Sequence, residues 1–344
     1  MLEAPAAGGR GAFLAATFLG LLALLGLGAP WLAPFDPVEQ TDPFAARLRP
    51  PGSALYAVPL QHGRWVLGDS WRQNGELLEL EARGRVRSVR PEERLGSAAA
   101  APERRIFLMG TDEYGRDVFS RWLYGARISL SIALLATVLA LTIGVAVGAV
   151  AALGPAVLDG LLMRFVDGIL SFPWLFLLIA LAAFSRPSTT SLVLILGATS
   201  WPFVSRLARA ELLALRGRDF VHAARGLGMG ETRIFFRHIL PNMWTPLVVA
   251  SALQIGYLIL AEASLSFLGL GVQAPAASWG NMIEAGRHHL TSSWWIFGFP
   301  ALGLVTTVIA LHSLADALRD HLDPRRRDPR RSAAPAAKGT PTAS

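Results

Sequence analysis

Six long apolar blocks dominate the sequence, and each approaches the roughly 20 residues that a helix needs to cross a lipid bilayer. The blocks lie at about 12–32, 128–153, 160–184, 188–208, 242–263 and 293–314. Pro202 and Pro300 interrupt two of them, which membrane helices tolerate where neighbouring groups satisfy the freed carbonyls. The pattern predicts an all-α membrane protein built on a six-helix bundle.

The first block has a second interpretation. It follows Arg10 and carries no charge between Ala12 and Ala29, as in a cleaved signal peptide. Its apolar run exceeds the about 7–15 residues usual for such a signal. We therefore predict a first transmembrane helix at 12–33, preceded by a short segment at 1–11.

A different periodicity appears between the first two blocks. Apolar and charged residues alternate with a period of two, which is typical of a half-buried strand. The apolar set is Leu78, Leu80, Ala82 and Val86, and the charged set is Glu79, Glu81, Arg83, Arg85 and Arg87. Asn74-Gly75 is a strong hairpin signal and His62-Gly63 a weaker one. We expect three or four antiparallel strands in a β-like insertion at about 52–104, with 96–104 as a linker back to the membrane.

Composition supports the membrane interpretation and excludes several chemistries. Of the 344 residues, 52% are hydrophobic and 17% are charged, against about 25% charged in soluble domains. The absence of Cys excludes disulfides, Cys-ligated zinc, iron–sulfur clusters and thiol nucleophiles. Lys338, in the tail, is the only lysine and does not follow a glycine-rich loop, so the sequence holds no Walker A phosphate site. We expect no cofactor and no metal in this chain.

The distribution of the net charge of +7 predicts the topology. Arginine is concentrated in 206–241 and again in the tail after residue 315. Because short basic segments stay on the cytoplasmic side of a membrane, both termini are expected there, in 1–11 and 316–344. The long loop 34–127 is then extracytoplasmic, and the tail is expected to be disordered from about 332. The basic excess indicates topology rather than nucleic-acid binding.

The segment 217–242 is too polar to cross a membrane and predicts two short helices. Asp219 is placed to cap the first helix, and Gly228 and Gly230 supply the turn. The second helix is expected from about Glu231 to Leu240. The apolar face of the first helix comprises Phe220, Val221, Ala224 and Leu227. Such a projection can dock onto a soluble partner, lie on the membrane surface or contact DNA, and the pattern alone leaves these three open.

The same segment resembles the EAA loop of bacterial ABC importer permeases, EAA-x3-G-x9-I-x-L-P. The motif positions are occupied by Ala223, Ala224, Gly228, Leu240 and Pro241, whereas His222 replaces the usual Glu and His238 the usual Ile. Further stretches resemble signatures of the dipeptide/oligopeptide/nickel subfamily in the same order along the chain. These stretches are 109–130, 161–173, 262–287 and 314–327. The β-like insertion departs from the compact loop of that family.

The resemblance implies a type I ABC importer permease, the second permease of a pair, with a core at 128–315 and a coupling loop at 217–241. The implied partners are a second homologous permease subunit, two ATPase subunits, an extracytoplasmic substrate-binding protein that the insertion is expected to abut, and membrane lipid, with no nucleic acid. The implied location is a bacterial inner membrane. Peptides are the implied substrates, with nickel or another small solute as the alternative. The implied ATPase contacts are Phe220, His222, Ala223, Ala224, Leu227, Gly228, Leu240 and Pro241; the alternative for Phe220 and Leu227 is packing on the chain's own helices.

Two rival classes fit the residues less well. An intramembrane enzyme needs convergent acid–base or metal-ligating groups at bilayer depth, such as HExxH, and the apolar blocks contain none. An ATP-independent secondary transporter is expected to show inverted repeats, and the sequence shows no internal repeat.

Polar residues outside the loop supply further candidate sites. Within the fifth block, Ser251, Gln254 and Tyr257 are expected either to line a translocation path or to hydrogen-bond between helices. Glu262, at the outer end of that block, is expected in an extracytoplasmic contact or in a cap or ion pair. The outer cluster of Asp112, Arg116 and Asp117 predicts a structural turn with paired charges or the same kind of contact.

Overall fold

The structure is a computed structural model that describes residues 7–61, 63–95 and 101–322. Its helices are α1 (Ala7–Leu27), α2 (Ala29–Leu32), α3 (Val118–Leu153), α4 (Ala156–Ser171), α5 (Trp174–Phe184), α6 (Thr189–Arg216), α7 (Asp219–Gly226), α8 (Glu231–Ile234), α9 (Leu240–Phe267), α10 (Trp279–Gly286) and α11 (Trp295–Leu322). The strands are β1 (Ser53–Pro59), β2 (Trp65–Gly68), β3 (Ser70–Asn74), β4 (Leu77–Ala82), β5 (Arg85–Val89) and β6 (Glu103–Phe107). The chain is therefore mainly helical with a β insertion between α2 and α3, as predicted.

Four helical stretches among the described residues are long and apolar enough to cross a membrane. They are Val118–Leu153, Thr189–Arg216, Glu231–Phe267 and Trp295–His321. Each covers all or most of one predicted block, and the first begins well before position 128 because Asp117 caps it. The block at 12–32 is divided at Gly28 into α1 and the short α2, so its apolar helix, Gly11–Leu27, is shorter than predicted.

The third block, 160–184, is not the single helix that the sequence predicts. α4 and α5 bend by 84° at a break between them. Phe172 at the break is extended, with φ −76° and ψ 138°. The ring of Pro173 disfavours the α conformation in the residue before it and removes a backbone N–H, so the helix ends there. The described residues contain up to five spans if this bent pair counts as one.

Close packing of α3 against α6 forms the centre of the bundle. A Cβ atom added to Gly144 would lie 2.5 Å from Cβ of Val204, and one added to Gly148 would lie 2.7 Å from the carbonyl oxygen of Ser205. On α6, a Cβ atom at Gly197 would lie 2.6 Å from Cδ2 of Leu139. Small residues let membrane helices approach this closely. The two glycines at GxxxG spacing on α3 therefore set the distance between the helices.

The insertion contains more β-structure than predicted. It forms two three-stranded antiparallel sheets, with strand orders β2-β1-β6 and β3-β4-β5. The expected linker is partly strand, because 103–107 forms β6 and pairs with β1, while 96–100 lies outside the described residues. The predicted alternation is correct for Leu78, Leu80 and Ala82, which are buried, but wrong for Val86, which is exposed. The predicted disordered tail also lies outside the described residues.

Two tight turns organise the sheet β3-β4-β5. The predicted turn after Asn74 is present, and Gly75 adopts a positive φ of 61°. A second turn joins β4 to β5 through Arg83 and Gly84, with φ values of 51° and 74°. Positive φ at both central residues matches the right-handed twist of the flanking strands. The sequence analysis missed this turn because it assigned Arg83 to the alternating strand pattern.

A buried ion cluster joins the segment between the insertion and α3 to the start of α3. One carboxylate oxygen of Asp112 lies 2.7 Å from Nε of Arg116 and 3.7 Å from Nε of Arg121. The other oxygen accepts hydrogen bonds from the backbone N–H groups of Tyr114 and Arg116, at 2.9 and 3.0 Å. The Arg121 guanidinium also donates to the carbonyl oxygen of Pro37, at 3.0 Å. The cluster therefore ties the chain that follows α2 to the start of α3.

Asp117 begins α3 and completes this junction. Its carboxylate accepts hydrogen bonds from the backbone N–H and the hydroxyl of Ser120, both at 2.7 Å. Burial raises the pKa of the Asp117 carboxyl, and the bonds to Ser120 oppose that shift. Asp112, Arg116 and Asp117 are all buried. Asp112 and Arg116 form an ion pair and Asp117 caps α3, as in the predicted structural turn, and their buried side chains do not support the alternative of a direct contact with another protein.

The two ends of α3 define the two ends of the bundle. Its first turn meets the ion cluster and the insertion, and its last turns pack near α7 and α8 through Ala149 and Ala152. The helix has 36 residues, which corresponds to about 54 Å. The insertion and the loop at 217–241 therefore lie at opposite ends of the molecule.

We expect Gly144→Leu to destabilise the protein by about 1–3 kcal/mol or more, because the added side chain has no space between α3 and α6. Thermal unfolding of the detergent-purified chain measures the effect. Gly168→Leu is the matched control, since a Cβ atom at Gly168 in α4 would meet nothing within 4 Å. Equal loss of stability in both variants would contradict the packing role.

We expect Asp112→Ala to cost about 3–5 kcal/mol of stability, because it leaves the buried Arg116 and Arg121 without their counter-charge. The same unfolding measurement applies. The control is Glu92→Ala, which removes an ion pair with Arg90. Both side chains of this pair are exposed and the charged atoms lie 3.5 Å apart, so we expect the free energy of unfolding to change by less than about 0.5 kcal/mol. Similar unfolding temperatures for the two variants would argue against the cluster as an anchor.

Candidate functional site

The coupling loop at 217–241 consists of the two predicted helices, α7 and α8. The first helix begins at Asp219 but is not capped by its side chain, because Arg218 occupies the N-cap position. The Asp219 carboxylate instead lies in the first turn, where the helix dipole favours negative charge. The second helix does not stop near Leu240, since the helical stretch continues from Glu231 to Phe267.

A π-helical turn makes that continuity possible. It spans Phe235–Ile239, immediately before Pro241. Proline in a helix removes one backbone hydrogen bond, and its ring crowds the carbonyl four residues earlier. A wider π turn relieves this crowding without ending the helix. The second helix of the coupling loop and α9 therefore form one continuous element rather than a loop followed by a separate span.

The turn between α7 and α8 is fixed by backbone and side-chain bonds. Gly228 adopts φ +77°, which a residue with a Cβ rarely adopts. The N–H of Met229 donates to the carbonyl of Ala224 at 3.2 Å, and the N–H of Gly228 to that of Arg225 at 2.9 Å, a Schellman cap. Arg225 donates two hydrogen bonds to Glu231, at 2.6 and 3.1 Å, and this bonding raises the pKa of the Arg225 guanidinium. Arg225 therefore pairs within the loop.

The inner side of the loop is packed into the bundle. Val221 and Ala224 of α7 are buried with Ile234, Phe235 and Ile239 in one apolar cluster. The rest of this cluster comes from α3, α6 and α9: Ala149, Ala152, Ala208, Leu212, Met243 and Leu247. We call it the loop cluster. Because three long helices outside the loop contribute to it, the loop cannot move without moving them.

The residues predicted to contact a partner divide between the two sides of the loop. Those on the outer side are exposed: Phe220, His222, Ala223, Leu227, Gly228 and Pro241. Leu227 is the extreme case, with 78% of its surface exposed. Ala224 is buried in the loop cluster and Leu240 is half-buried, so these two support the surface without forming it. The sequence analysis missed Phe236, which is also exposed beside the loop.

Ion pairs hold the helices that carry the loop. Arg209 of α6 forms two hydrogen bonds with Asp159 of α4, at 2.6 and 2.5 Å. Arg216, at the end of α6, donates to the carbonyl oxygen of Ala152 in α3 at 2.6 Å. The arginine-rich segment thus contributes direct bonds between helices in addition to the charge that predicts its side of the membrane.

A cavity of about 640 Å³ lies further along the bundle, between α4, α5, α6, α9 and α11. Its apolar lining comprises Leu170, Trp174, Phe203, Ala250 and Leu253, and its polar lining comprises Thr199, Ser200, Gln254, Tyr257 and His312. The rings of Trp174 and Tyr257 have centroids 4.4 Å apart. Tyr257 lies 16 residues beyond Pro241, which places the cavity about 24 Å along α9 from the coupling loop.

The predicted path residues do not all reach this cavity. Gln254 and Tyr257 line it, whereas Ser251 does not. The Ser251 hydroxyl donates to the carbonyl oxygen of Leu247 in its own helix, at 2.6 Å. Ser200 and His312 were missed because they lie in different apolar blocks, and only the packing of α6 and α11 against α9 brings them to one cavity.

Glu262 lies deep in the structure rather than at its outer surface. It is fully buried, and its carboxyl group accepts hydrogen bonds from the hydroxyls of Ser129 at 2.8 Å and Ser266 at 2.7 Å. The Ser129 hydroxyl also accepts from the backbone N–H of Trp279, at 3.3 Å. Glu262 therefore joins α3, α9 and α10, and the prediction of a direct contact with another protein is not supported.

Comparison with known proteins places the chain in a family. The family model for the inner membrane component of binding-protein-dependent transport systems matches residues 144–328, more than half of the chain. The di/tripeptide transport system permease protein DppC of Pseudomonas aeruginosa is 35% identical over 316 residues, which cover 92% of this chain and 88% of that protein. A putative peptide permease protein of Brucella suis is 47% identical over 218 residues, which cover 63% of this chain and 72% of that protein.

Solved structures show a weaker similarity. An inward-facing MetNI methionine ABC transporter matches 58% of this chain and 95% of its own chain, at 19% identity and a TM-score of 0.49. The match to an amino acid ABC transporter with histidines covers 59% of this chain and 95% of that chain, at 16% identity and a TM-score of 0.47. The family model and the two sequence relatives together show that this chain belongs to the inner membrane components of binding-protein-dependent transport systems, the permease subunits of ABC importers.

Proposed function

We propose that this permease subunit carries di- and oligopeptides, or a closely related small solute, across the cytoplasmic membrane. The substrate assignment is supported by the similarity to proteins named as di/tripeptide and peptide permeases. In the proposed complex, a second permease completes the pathway, an extracytoplasmic protein delivers the peptide, and two ATPase subunits bind and hydrolyse ATP. This chain holds no cofactor and no metal in the proposal.

One observation carries the coupling part of the proposal: the loop is exposed on its outer side and firmly packed on its inner side. Phe220, Ala223 and Leu227 present apolar surface to solvent. Exposed apolar patches of this kind are typical of protein interfaces. Val221 and Ala224 connect the same short helix to the loop cluster. Movement of an ATPase bound to the outer side of the loop is therefore transmitted to the helices that form the loop cluster.

We propose that the continuous helical stretch from Glu231 to Phe267 transmits movement of the coupling loop through the bundle. It has 37 residues and is about 55 Å long. It runs from Glu231, the partner of Arg225, past the cavity and Glu262 to Phe267. A shift of the coupling loop is thereby carried to Gln254 and Tyr257 in the cavity. Such coupling requires the ATPase to bind two arrangements of the permease with different affinity.

The proposed topology follows from the same geometry. We place the coupling loop and both termini in the cytoplasm, because short arginine-rich segments stay on that side of a membrane. We place the insertion outside, because the insertion and the coupling loop lie at opposite ends of α3. The Asp112 cluster fixes the segment that connects the insertion to α3. The insertion is thus positioned to abut the extracytoplasmic binding protein.

We expect Leu227→Asp to abolish or strongly reduce capture of the ATPase subunits, because it places a charge in the centre of the exposed apolar surface. Co-purification from membranes in mild detergent measures the capture. Since Leu227 is outside the loop cluster, the variant should still fold and reach the membrane.

The matched control is Leu95→Asp, which introduces the same change at an exposed leucine of the insertion. We expect it to retain the ATPase at the wild-type level. If Leu227→Asp also retained it, the coupling surface would be misassigned. If no ATPase co-purified with the wild-type chain, the proposal that this chain works in an ATP-driven importer would be wrong.

The absence of cysteine in the sequence makes the topology directly testable. A membrane-impermeant thiol reagent added to intact cells lacking an outer barrier should label Leu95→Cys and leave Leu227→Cys unlabelled. The variants are produced without the ATPase subunits, which would otherwise cover Leu227, and labelling of Leu227→Cys is then expected only after the membrane is opened. The reverse pattern would overturn the orientation, and the cysteine-free chain controls for labelling of other proteins.

A further inference from the structure

The polar groups of the cavity have free hydrogen-bonding capacity. Ser200 is only 6% exposed, lines the cavity, and has a hydroxyl without a hydrogen-bond partner within the described part of the chain. A buried hydroxyl without a partner is costly, so its retention points to a transient partner. Thr199 beside it donates to the carbonyl of Ile195 at 2.8 Å, which leaves its oxygen as an acceptor.

His312 lines the same cavity, and its ring has one nitrogen available as an acceptor. Its Nδ1 lies 2.9 Å from the carbonyl oxygen of Val308. A carbonyl oxygen only accepts, so Nδ1 carries the proton and donates it. In the neutral ring, Nε2 is then left with a lone pair. The hydrogen bond to the helix backbone thereby fixes both the orientation of the ring and its acceptor atom.

The polar lining carries no formal charge when His312 is neutral. The hydroxyls of Ser200 and Tyr257, the Gln254 amide and the His312 ring offer both donors and acceptors, and the cavity lining contains no Asp, Glu, Lys or Arg. A neutral set of this kind complements an amide group, which has one N–H and one C=O. It gives no strong attraction to a metal cation or to an isolated anion, whose burial needs counter-charge.

We propose that Ser200, Gln254, Tyr257 and His312 form a binding site for the peptide amide group during passage, in which His312 Nε2 accepts the amide N–H. This inference rests on the proposed peptide substrate and adds the group that is recognised. Amide recognition at this site suits a transporter of varied peptides, because the backbone amide is common to all of them. The apolar lining, including Trp174 and Phe203, then accommodates different side chains.

The test uses the complete complex, with its second permease, ATPase subunits and binding protein, reconstituted in proteoliposomes. The two substrates are a labelled dipeptide and its analogue with a methyl group on the amide nitrogen, which lacks the N–H that His312 would bind. Uptake and ATP hydrolysis are measured together for wild type, His312→Leu and His312→Gln. The same binding protein is used with every variant. Any preference of the binding protein for one of the two substrates therefore does not affect the comparison between variants.

His312→Leu should lower uptake of the unmodified dipeptide about three- to tenfold, the range expected for one hydrogen bond. Uptake of the methylated analogue should be unchanged, and ATP hydrolysis should stay within about twofold. His312→Gln, whose amide oxygen accepts, should recover most of the uptake. Ser251→Ala is the control, since its hydroxyl bonds its own helix outside the cavity lining.

Three other results separate the possible failures. An equal loss for both substrates, or uptake that falls in step with ATP hydrolysis, would mean that His312 has a structural role and would overturn the amide site. Unchanged dipeptide uptake in His312→Leu would overturn it as well. If the wild-type complex hydrolysed ATP in response to its loaded binding protein yet took up neither peptide, the peptide assignment itself would be wrong.

Discussion

Packing of the loop cluster is the constraint on which the functional parts of this molecule depend. Val221 and Ala224 of a short polar segment are buried together with Ile234, Phe235 and Ile239 and with residues of three long helices. Without this burial, α7 would be an eight-residue amphipathic helix with little stability of its own. With it, the exposed Leu227 side of the same helix becomes a rigid surface through which a partner can move the bundle.

Two further interactions extend that rigidity along the bundle. The glycines of α3 bring it into backbone contact with α6, and the pairing of Arg209 with Asp159 adds α4. At the other end, Asp112 holds the segment before α3 to the start of that helix, and Glu262 joins α3 to α9 and α10. Charged groups are thus concentrated at the two ends, and the cavity between them is neutral, which suits passage of a polar but uncharged amide group.

The sequence was informative wherever a property depends on neighbours within a few residues. Apolar blocks, the turn at Gly228 and the hairpin at Asn74 were all predicted, because periodicity and glycine act locally. The turn with paired charges at Asp112 was predicted as well. The outcomes for Glu262 and Ser251 were not, because burial of a polar residue depends on distant partners such as Ser129, 133 residues from Glu262. For the same reason, no pattern within α6 or α11 could have placed Ser200 and His312 in one cavity. The break at Phe172 was hidden by the uniform hydrophobicity around Pro173.

The central claim is that movement of a peptide through this chain is driven by ATP hydrolysis acting on the coupling loop. The most direct measurement is uptake of a labelled dipeptide by the reconstituted complex, with ATP or an imposed proton gradient as the only energy source. The account predicts uptake that requires ATP and the loaded binding protein and that is insensitive to collapse of the gradient. Uptake driven by the gradient alone, without ATP, would contradict it.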